Sequence, residues 1–278
     1  YYRPVKGVTG LMELQPGQVN WASVNPQPLP GVVHMWIMQA FGGGCSYLCT
    51  YRYRHPLAGS EMYHEGIVGT DGVSLTQGGQ EFIQAIGEMK KMRSLYRPGV
   101  TLPADLAARK TAFLWNHENM WDLDIQPQTP AWNSWKNRNM FSAAVKSTGA
   151  PMDFISEADD FSRYPFMVAP SYQLADPALI EKWKKYAEAG GHLILSCRTS
   201  VKDRNGHSFE GRWAAPIRDL IGADVSFFDM LPGGVEGHVN ANGTVFGWNV
   251  WSEVLSPQAG TEVLATYTDQ YYAGRPAA

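Results

Sequence analysis

The chain has 278 residues, of which 44% are hydrophobic and 18% charged, and its formal net charge is −3. This length suits one large domain or two ordinary ones, with enough apolar residues for a buried core. The slightly acidic balance argues against nucleic acid or an anionic membrane as a partner, and no apolar run is long enough to span a bilayer. Ten tryptophans and thirteen tyrosines suit a carbohydrate site, and they suit large buried interfaces equally well.

The first hundred residues predict two βα units of a parallel α/β architecture. A buried strand is predicted over residues 5–13, an apolar helix over 32–41, a second strand over 45–53 and a second helix over 81–96, after a long polar loop over 54–77. Two parallel strands alone have open edges and a thin core. We therefore expect about six further units of a (β/α)8 barrel upstream of this chain.

Residues 97–103 contain two prolines and a glycine, which predict a linker between a domain over residues 1–100 and a domain over residues 105–278. The second part alternates strands and helices, which predicts an open, doubly wound sheet of the flavodoxin-like type. The predicted strands are 111–115, 152–155, 166–169 and 192–197, and the predicted helices are 132–147, 176–189 and 214–221. Short strands are predicted at 225–228, 244–248 and 262–267, and we expect the last domain to be truncated at its end.

The three cysteines, Cys45, Cys49 and Cys197, do not predict a disulfide framework. Cys45 and Cys49 fall on one predicted strand, roughly 13 Å apart at about 3.3 Å per residue, which is too far for a disulfide. We interpret them as core residues rather than metal ligands, and we expect no metal or other cofactor. The compartment stays open, with a reducing, cytoplasmic one favoured.

Glu13 is the most informative residue, because an apolar run delivers it to the mouth of a loop that then supplies Asn20 and Trp21. A carboxylate at the carboxyl end of a strand, followed by an aromatic platform, is how sugar-cleaving barrels present a nucleophile. A retaining glycosidase needs a second carboxyl about 5 Å away to protonate the leaving oxygen. The alternative is a strand-end glutamate in a surface ion pair.

Glu61 and His64 stand three residues apart in the long polar loop, so one helical turn would point them the same way. A carboxylate with an imidazole suits the binding of neighbouring sugar hydroxyls. Two such residues without a third ligand are weak evidence for a metal site. A solvated polar loop without function is the remaining alternative, although loops of this length are often functional.

Two further motifs lie in the second part. The run from Trp115 to Asp122 follows its first strand, where doubly wound folds bind ligands, but no phosphate-binding loop is present, so an interface patch is favoured. Cys197 follows the last strand of that sheet, where an elbow could carry a nucleophile. It lacks the flanking glycines and an evident base, so we expect no catalytic thiol there.

The motif around Glu13 closely resembles glycoside hydrolase family 42, the β-galactosidases, and the resemblance extends over essentially the whole chain. In the first part it is carried by Met12-Glu13-Leu14-Gln15-Pro16-Gly17-Gln18-Val19-Asn20-Trp21, Tyr51-Arg52-Tyr53-Arg54, Ser60-Glu61-Met62-Tyr63-His64 and Gly69-Thr70-Asp71-Gly72. The second part resembles that family's amidotransferase-like trimerisation domain. There it is carried by Val168-Ala169-Pro170, Ala189-Gly190-Gly191-His192-Leu193 and Tyr271-Tyr272-Ala273-Gly274-Arg275-Pro276-Ala277.

This resemblance implies a retaining double displacement on terminal β-D-galactosides by a homotrimeric enzyme. It implies that Glu13 is the nucleophile, that Trp21 stacks on the sugar, and that Glu61 and His64 hold galactose hydroxyls. The family's acid/base is a glutamate on an earlier barrel strand, and no residue of this chain matches it. We therefore expect a C-terminal portion of such an enzyme that is inactive by itself.

Two other hypotheses remain open at this stage. One is a non-catalytic α/β oligomerisation module, in which residues 105–278 form the only stable fold. The other is a different sugar specificity, such as α-L-arabinopyranoside, whose ring matches galactose without its hydroxymethyl group.

Overall fold

The chain forms two compact units, Tyr1–Leu102 and Pro103–Ala278, in a computed structural model that describes residues 8–95 and 101–278. Residues 5–7 of the first predicted strand, the last residue of the predicted 81–96 helix and most of the predicted linker lie outside the described residues. Within the described residues, no helix combines the length and the apolar character needed to cross a bilayer.

The first unit contains two strands and two helices in the predicted order: β1 (Gly10–Leu14), α1 (Val32–Gly42), β2 (Tyr47–Thr50) and α2 (Gln77–Leu95). The strands pair in parallel, with Gly10 opposite Tyr47. Both helices pack on one apolar cluster, because Val33 and Ile37 of α1 meet Phe82 and Ala85 of α2, and Leu14 and Leu48 of the two strands lie against them. The arrangement confirms two consecutive βα units.

Helix α2 begins at Gln77, four residues before the predicted start, and the two glycines of its first turn explain the difference. A Cβ at Gly78 would lie 1.5 Å from the carbonyl oxygen of Pro16, and one at Gly79 would lie 2.1 Å from that of Ile67. The glycines are therefore required by close packing against backbone atoms. In a sequence, two adjacent glycines instead predict a loop. The same contact brings α2 against the segment that follows Glu13.

The second unit is built on a four-stranded parallel sheet with the order β4-β3-β5-β6. Its elements in chain order are α3 (Ala104–Ala107), β3 (Thr111–Leu114), α4 (His117–Ile125), α5 (Ser134–Ser147), β4 (Met152–Ile155), β5 (Phe166–Ala169), α6 (Pro177–Glu188) and β6 (His192–Leu195). This order is the flavodoxin-like one for the first four strands. Side chains alternate between two cores: Phe113 and Val168 pack near α5, whereas Leu114 and Met167 pack with Trp183 of α6.

The remainder of the second unit turns from parallel to antiparallel pairing. It contains α7 (Arg218–Ile221), β7 (Ala223–Asp229), β8 (Gly237–Ala241), β9 (Thr244–Trp248), β10 (Ser252–Pro257) and β11 (Ala265–Tyr267). Strand β7 pairs with β10, and β8 lies between β9 and β11. The predicted helix at 214–221 is shorter than expected, because its first turn, Ala215–Ile217, is a 3-10 helix.

Candidate active site

Glu13 lies near the carboxyl end of β1 with its side chain exposed. Gln15, the first residue after β1, donates an N–H from Nε2 to Glu13 Oε1 over 2.9 Å. No described residue bonds to the other oxygen, Oε2. One oxygen is therefore held by the protein and one remains open to a bound molecule, which is a suitable arrangement for a nucleophile.

The loop after Glu13 is held in place by contacts with distant parts of the first unit. Pro16 and Gly17 are buried. Pro16 packs on Gly78 at the start of α2, and Gly17 packs so closely on Glu65 that a Cβ there would lie 1.7 Å from its Oε2. The close contact with Glu65 explains why the motif around Glu13 has a glycine at position 17.

His64 is the buried centre of the site, with a side chain that is 2% exposed. Its Nε2 lies 2.5 Å from Gln15 Oε1, and its Nδ1 lies 3.2 Å from Asn20 Oδ1. Asn20 in turn donates from Nδ2 to the carbonyl oxygen of Ser60 over 2.8 Å. A continuous set of hydrogen bonds therefore joins Glu13 to the loop that carries His64, through residues 49 and 44 positions apart in the chain.

Glu61 accepts two hydrogen bonds at the same oxygen, Oε2. The Tyr51 hydroxyl donates one over 2.5 Å, and Arg52 Nη1 donates the other over 3.3 Å. The hydrogen bond to Glu61 is the main cause that raises the pKa of Tyr51, with the charge of Glu13 adding a smaller effect in the same direction. Tyr51 also packs edge-on against the His64 ring, with centroids 5.3 Å apart, so it connects Glu13, Glu61 and His64.

Three of the four residues predicted from the sequence therefore meet around Tyr51 and Gln15. Trp21 joins them only as the chain neighbour of Asn20, and its side chain is 72% exposed. An exposed indole is available to stack on a sugar face. No group of three histidine, cysteine, aspartate or glutamate side chains in residues 8–95 and 101–278 is arranged to hold a metal ion.

Gln15 and Tyr51 are functional candidates that sequence reasoning alone did not select. Both stand inside the motifs quoted above, but their importance comes from bridging other residues. The available signal was the position of Gln15, only two residues after Glu13 in the chain.

The two further motifs of the second unit have clear structural settings. The run after β3 is helix α4, capped by the Asn116 side chain, which accepts from the Asn119 backbone N–H. It presents exposed Trp121 beside an aromatic group that includes Trp115 and Trp135, 5.5 Å apart. Burial raises the pKa of Cys197 to about 12, so its thiol stays protonated at neutral pH and is a poor nucleophile.

Both units match known protein families. Residues 109–278 match the family model described as "Beta-galactosidase trimerisation domain", and residues 1–92 match the one described as "Beta-galactosidase". The chain belongs to glycoside hydrolase family 42. The resemblance seen in the sequence motifs is thus confirmed, together with a fold that combines the end of a barrel with a trimerisation domain.

Individual relatives agree with this assignment. The chain is 29% identical over 250 residues to the β-galactosidase BgaH of Haloferax lucentense, and 29% identical over 284 residues to BglY of Alicyclobacillus acidocaldarius. These matches cover 90% and 96% of this chain, but 36% and 39% of the relatives. The solved β-galactosidase of Halorubrum lacusprofundi is 28% identical, with a TM-score of 0.88 over 99% of this chain and 40% of that structure. The chain thus spans well under half the length of these relatives.

Proposed function

We propose that this chain belongs to a retaining β-galactosidase in which Glu13 is the nucleophile. The observation that carries the proposal is the state of the Glu13 carboxylate, with Oε1 held by Gln15 and Oε2 without a hydrogen-bond partner among the described residues. The relatives named above are β-galactosidases, and the first unit matches their catalytic family model. The open oxygen of Glu13 and the family assignment therefore both support Glu13 as the nucleophile.

In the proposed reaction, Glu13 Oε2 attacks the anomeric carbon of a terminal β-D-galactoside while the leaving oxygen takes a proton from a separate acid. Trp21 stacks on the apolar face of the sugar, and Glu61 accepts hydrogen bonds from its hydroxyls. Both ring nitrogens of His64 already have partners, so it reaches the sugar only by exchanging Gln15 or Asn20 for a hydroxyl. Water then cleaves the galactosyl-enzyme ester and restores Glu13.

The decisive experiment is Glu13→Ala in the full-length enzyme. We expect turnover of a galactoside to fall by several orders of magnitude, because the covalent step has lost its nucleophile. Azide should restore part of the activity with an activated nitrophenyl galactoside and release the α-galactosyl azide, since a small anion can enter the vacated space. Glu210→Ala, which removes an exposed carboxylate of the second unit, is the matched control. Normal turnover of the Glu13→Ala enzyme would contradict the proposal.

We also propose that the second unit assembles the enzyme as a homotrimer. The support is the match of residues 109–278 to a trimerisation-domain family model, together with exposed Trp121 and Trp135 on one aromatic group. Sedimentation equilibrium of the full-length protein should give three times the protomer mass. Replacing both tryptophans by serine should lower that mass, and an unchanged trimer would remove this patch from the interface.

A further inference from the structure

The ring of His64 faces oxygen acceptors at both of its nitrogens. Nε2 lies against Gln15 Oε1 and Nδ1 lies against Asn20 Oδ1. A neutral imidazole carries one N–H and one bare nitrogen, so it can satisfy only one such acceptor. The protonation state of His64 therefore depends on whether either amide could be turned around.

Gln15 is fixed by Glu13. Its Nε2 donates to Glu13 Oε1 over 2.9 Å, and an ionised carboxylate can only accept. Turning the amide would bring its oxygen against the carboxylate, and two acceptors would then face each other. As long as Glu13 is ionised, Gln15 Oε1 must face His64, and His64 Nε2 must carry a proton.

Asn20 is fixed by a main-chain group. Its Nδ2 donates over 2.8 Å to the carbonyl oxygen of Ser60, which is also an acceptor only. Its Oδ1 therefore faces His64 Nδ1, and that nitrogen must carry a proton as well. The two orientations are set independently of each other, one by a side-chain carboxylate and one by the backbone.

We propose that His64 is an imidazolium that keeps Glu13 ionised through Gln15 and thereby selects Oε2 as the attacking oxygen. This inference rests on the proposed role of Glu13 as the nucleophile. The amide of Gln15 transmits the effect, because an amide whose oxygen accepts from a cation becomes a stronger donor at its nitrogen. His64 and Gln15 are thus positioning residues for the nucleophile.

The groups that face the ring are neutral or already paired. Glu13 lies beyond Gln15, and the turn at Glu61 accepts the backbone N–H of His64 at its carbonyl oxygen over 2.9 Å. Tyr51 packs edge-on against the ring, and its raised pKa keeps it neutral. Arg52 is the nearby cation, and it is paired with the Glu61 carboxylate at 3.3 Å. The imidazolium therefore adds a positive charge to a region where Glu13 supplies a negative one.

One alternative arrangement has the same number of protons. The proton leaves His64 Nε2, Glu13 gains one, and Gln15 turns so that its oxygen accepts from the Glu13 hydroxyl and its N–H donates to His64 Nε2. That arrangement satisfies every hydrogen bond but leaves Glu13 as a neutral acid, which is a poor nucleophile. The two arrangements differ in two observable features. His64 Nε2 carries a proton in the proposed arrangement and none in the alternative, and the Gln15 amide has opposite orientations.

Neutron diffraction from the deuterated full-length enzyme at neutral pH distinguishes these arrangements directly. We expect deuterons on both Nδ1 and Nε2 of His64, and the ND2 group of Gln15 facing Glu13. A bare ring nitrogen or a reversed Gln15 amide overturns the inference. If Glu13→Ala is nevertheless inactive and rescued by azide, the proposed function stands and only the role of His64 is lost.

Kinetics give a second, independent measurement. Gln15→Leu should lower kcat about ten- to hundredfold, the effect of losing one charge-assisted hydrogen bond, and should move the acidic limb of the kcat/KM profile to higher pH. His64→Gln, which keeps a donor but removes the charge, should move the same limb, and the double variant should move it no further. Gln27→Leu removes an exposed amide from the same loop, one that is bonded to Glu65, and should change neither. A Gln15→Leu enzyme with an unchanged limb contradicts the inference.

Discussion

Two buried arginines of the second unit should respond in opposite ways to the same substitution. Arg198 is 2% exposed and Arg138 is 1% exposed. Arg198 donates to Gln173 Oε1 over 3.1 Å and to the carbonyl oxygens of Pro127 and Gln126 over 3.3 and 2.7 Å. Arg138 has no hydrogen-bond partner for any of its three guanidinium nitrogens among the described residues. Methionine keeps much of the volume of arginine and removes the charge. Comparing the two variants therefore isolates what the Arg198 hydrogen bonds contribute to the free energy of unfolding.

Arg198→Met leaves the buried Gln173 Oε1 and the carbonyl oxygens of Gln126 and Pro127 without this donor. It also removes a cation held between two indole rings, 4.5 and 4.8 Å from their centroids. Hydrogen bonds to a charged group contribute about 1.5–3 kcal/mol and a cation over aromatic rings about 0.5–2 kcal/mol, so their combined loss should lower the free energy of unfolding by about 3–5 kcal/mol. At roughly 2–4 °C per kcal/mol for a unit of this size, the midpoint of its unfolding should fall by about 6–20 °C.

Arg138→Met should cost little or raise stability. Burial lowers the pKa of Arg138 to about 10, which corresponds to a penalty on the order of 3 kcal/mol for keeping the guanidinium charged. The favourable contact of this guanidinium is with the Trp115 ring, 5.5 Å away, and such contacts contribute about 0.5–2 kcal/mol. The penalty for the buried charge offsets the favourable ring contact. We therefore expect the free energy of unfolding to fall by less than about 1 kcal/mol, or to rise.

Both variants are measured in the full-length protein by calorimetry, with hydrogen exchange of peptides from β3 and β5 reporting the second unit. The reasoning is refuted if the two substitutions lower the free energy of unfolding equally, or if Arg138→Met is the more damaging one. Equal losses would mean that volume and cation–ring contact, rather than hydrogen bonding, decide the stability of these sites.

Two further predictions concern the first unit. Trp21→Ala should raise KM for the galactoside in a steady-state assay and leave the thermal midpoint unchanged, because the indole is 72% exposed; a shifted midpoint with unchanged KM would assign Trp21 to folding. Glu81→Ala should lower the free energy of unfolding by about 1–2 kcal/mol, because Glu81 caps α1 from outside by accepting the Gly31 and His34 N–H groups at 2.9 Å each. Burial raises the pKa of Glu81, but these N–H bonds together lower it further, so this contribution is complete above the unfolded value of about 4.3 and is lost as pH falls below it. Urea titrations at pH 7 and pH 3 measure the difference between wild type and variant, which should shrink at the lower pH.

Elements with both local end signals and a strong apolar pattern were predictable. Helix α6 has Asp176 as its N-cap, with a side chain that accepts the Leu179 N–H, and Pro177 at its first position. Its predicted range, 176–189, differs from Pro177–Glu188 by one residue at each end. The four parallel strands of the second unit were also found, because each is a short, largely apolar run, although β6 at the sheet edge leaves His192 and Ile194 exposed.

Elements without a strong local signal were missed. Strand β10 was not predicted, although all six of its residues pair with β7, because Val254 and Leu255 are its only strongly apolar residues. Helix α4 was missed for a similar reason, since only Asn119, Met120 and Leu123 of its nine residues are buried and the apolar period is too weak to detect.

The candidate site shows the same division. Glu13 and Trp21 are recognisable within ten residues of sequence, because a strand end and its loop are local. The bridging roles of Gln15 and Asn20 arise only when the loop carrying His64 folds against them, across more than forty residues. The external cap that Glu81 of α2 supplies to α1 is non-local for the same reason.

The two carboxylates of the site are held in ways that suit different tasks. Glu13 has a single donor on Oε1, whereas Glu61 receives the Tyr51 hydroxyl and the Arg52 guanidinium on one oxygen. A general acid must present a proton to the leaving oxygen, and a carboxylate already serving two donors is arranged to accept instead. Glu61 is therefore suited to accepting hydrogen bonds from sugar hydroxyls and not to protonating the leaving group. The retaining mechanism proposed for Glu13 accordingly requires a third carboxyl, about 5 Å from Glu13 across the bound sugar.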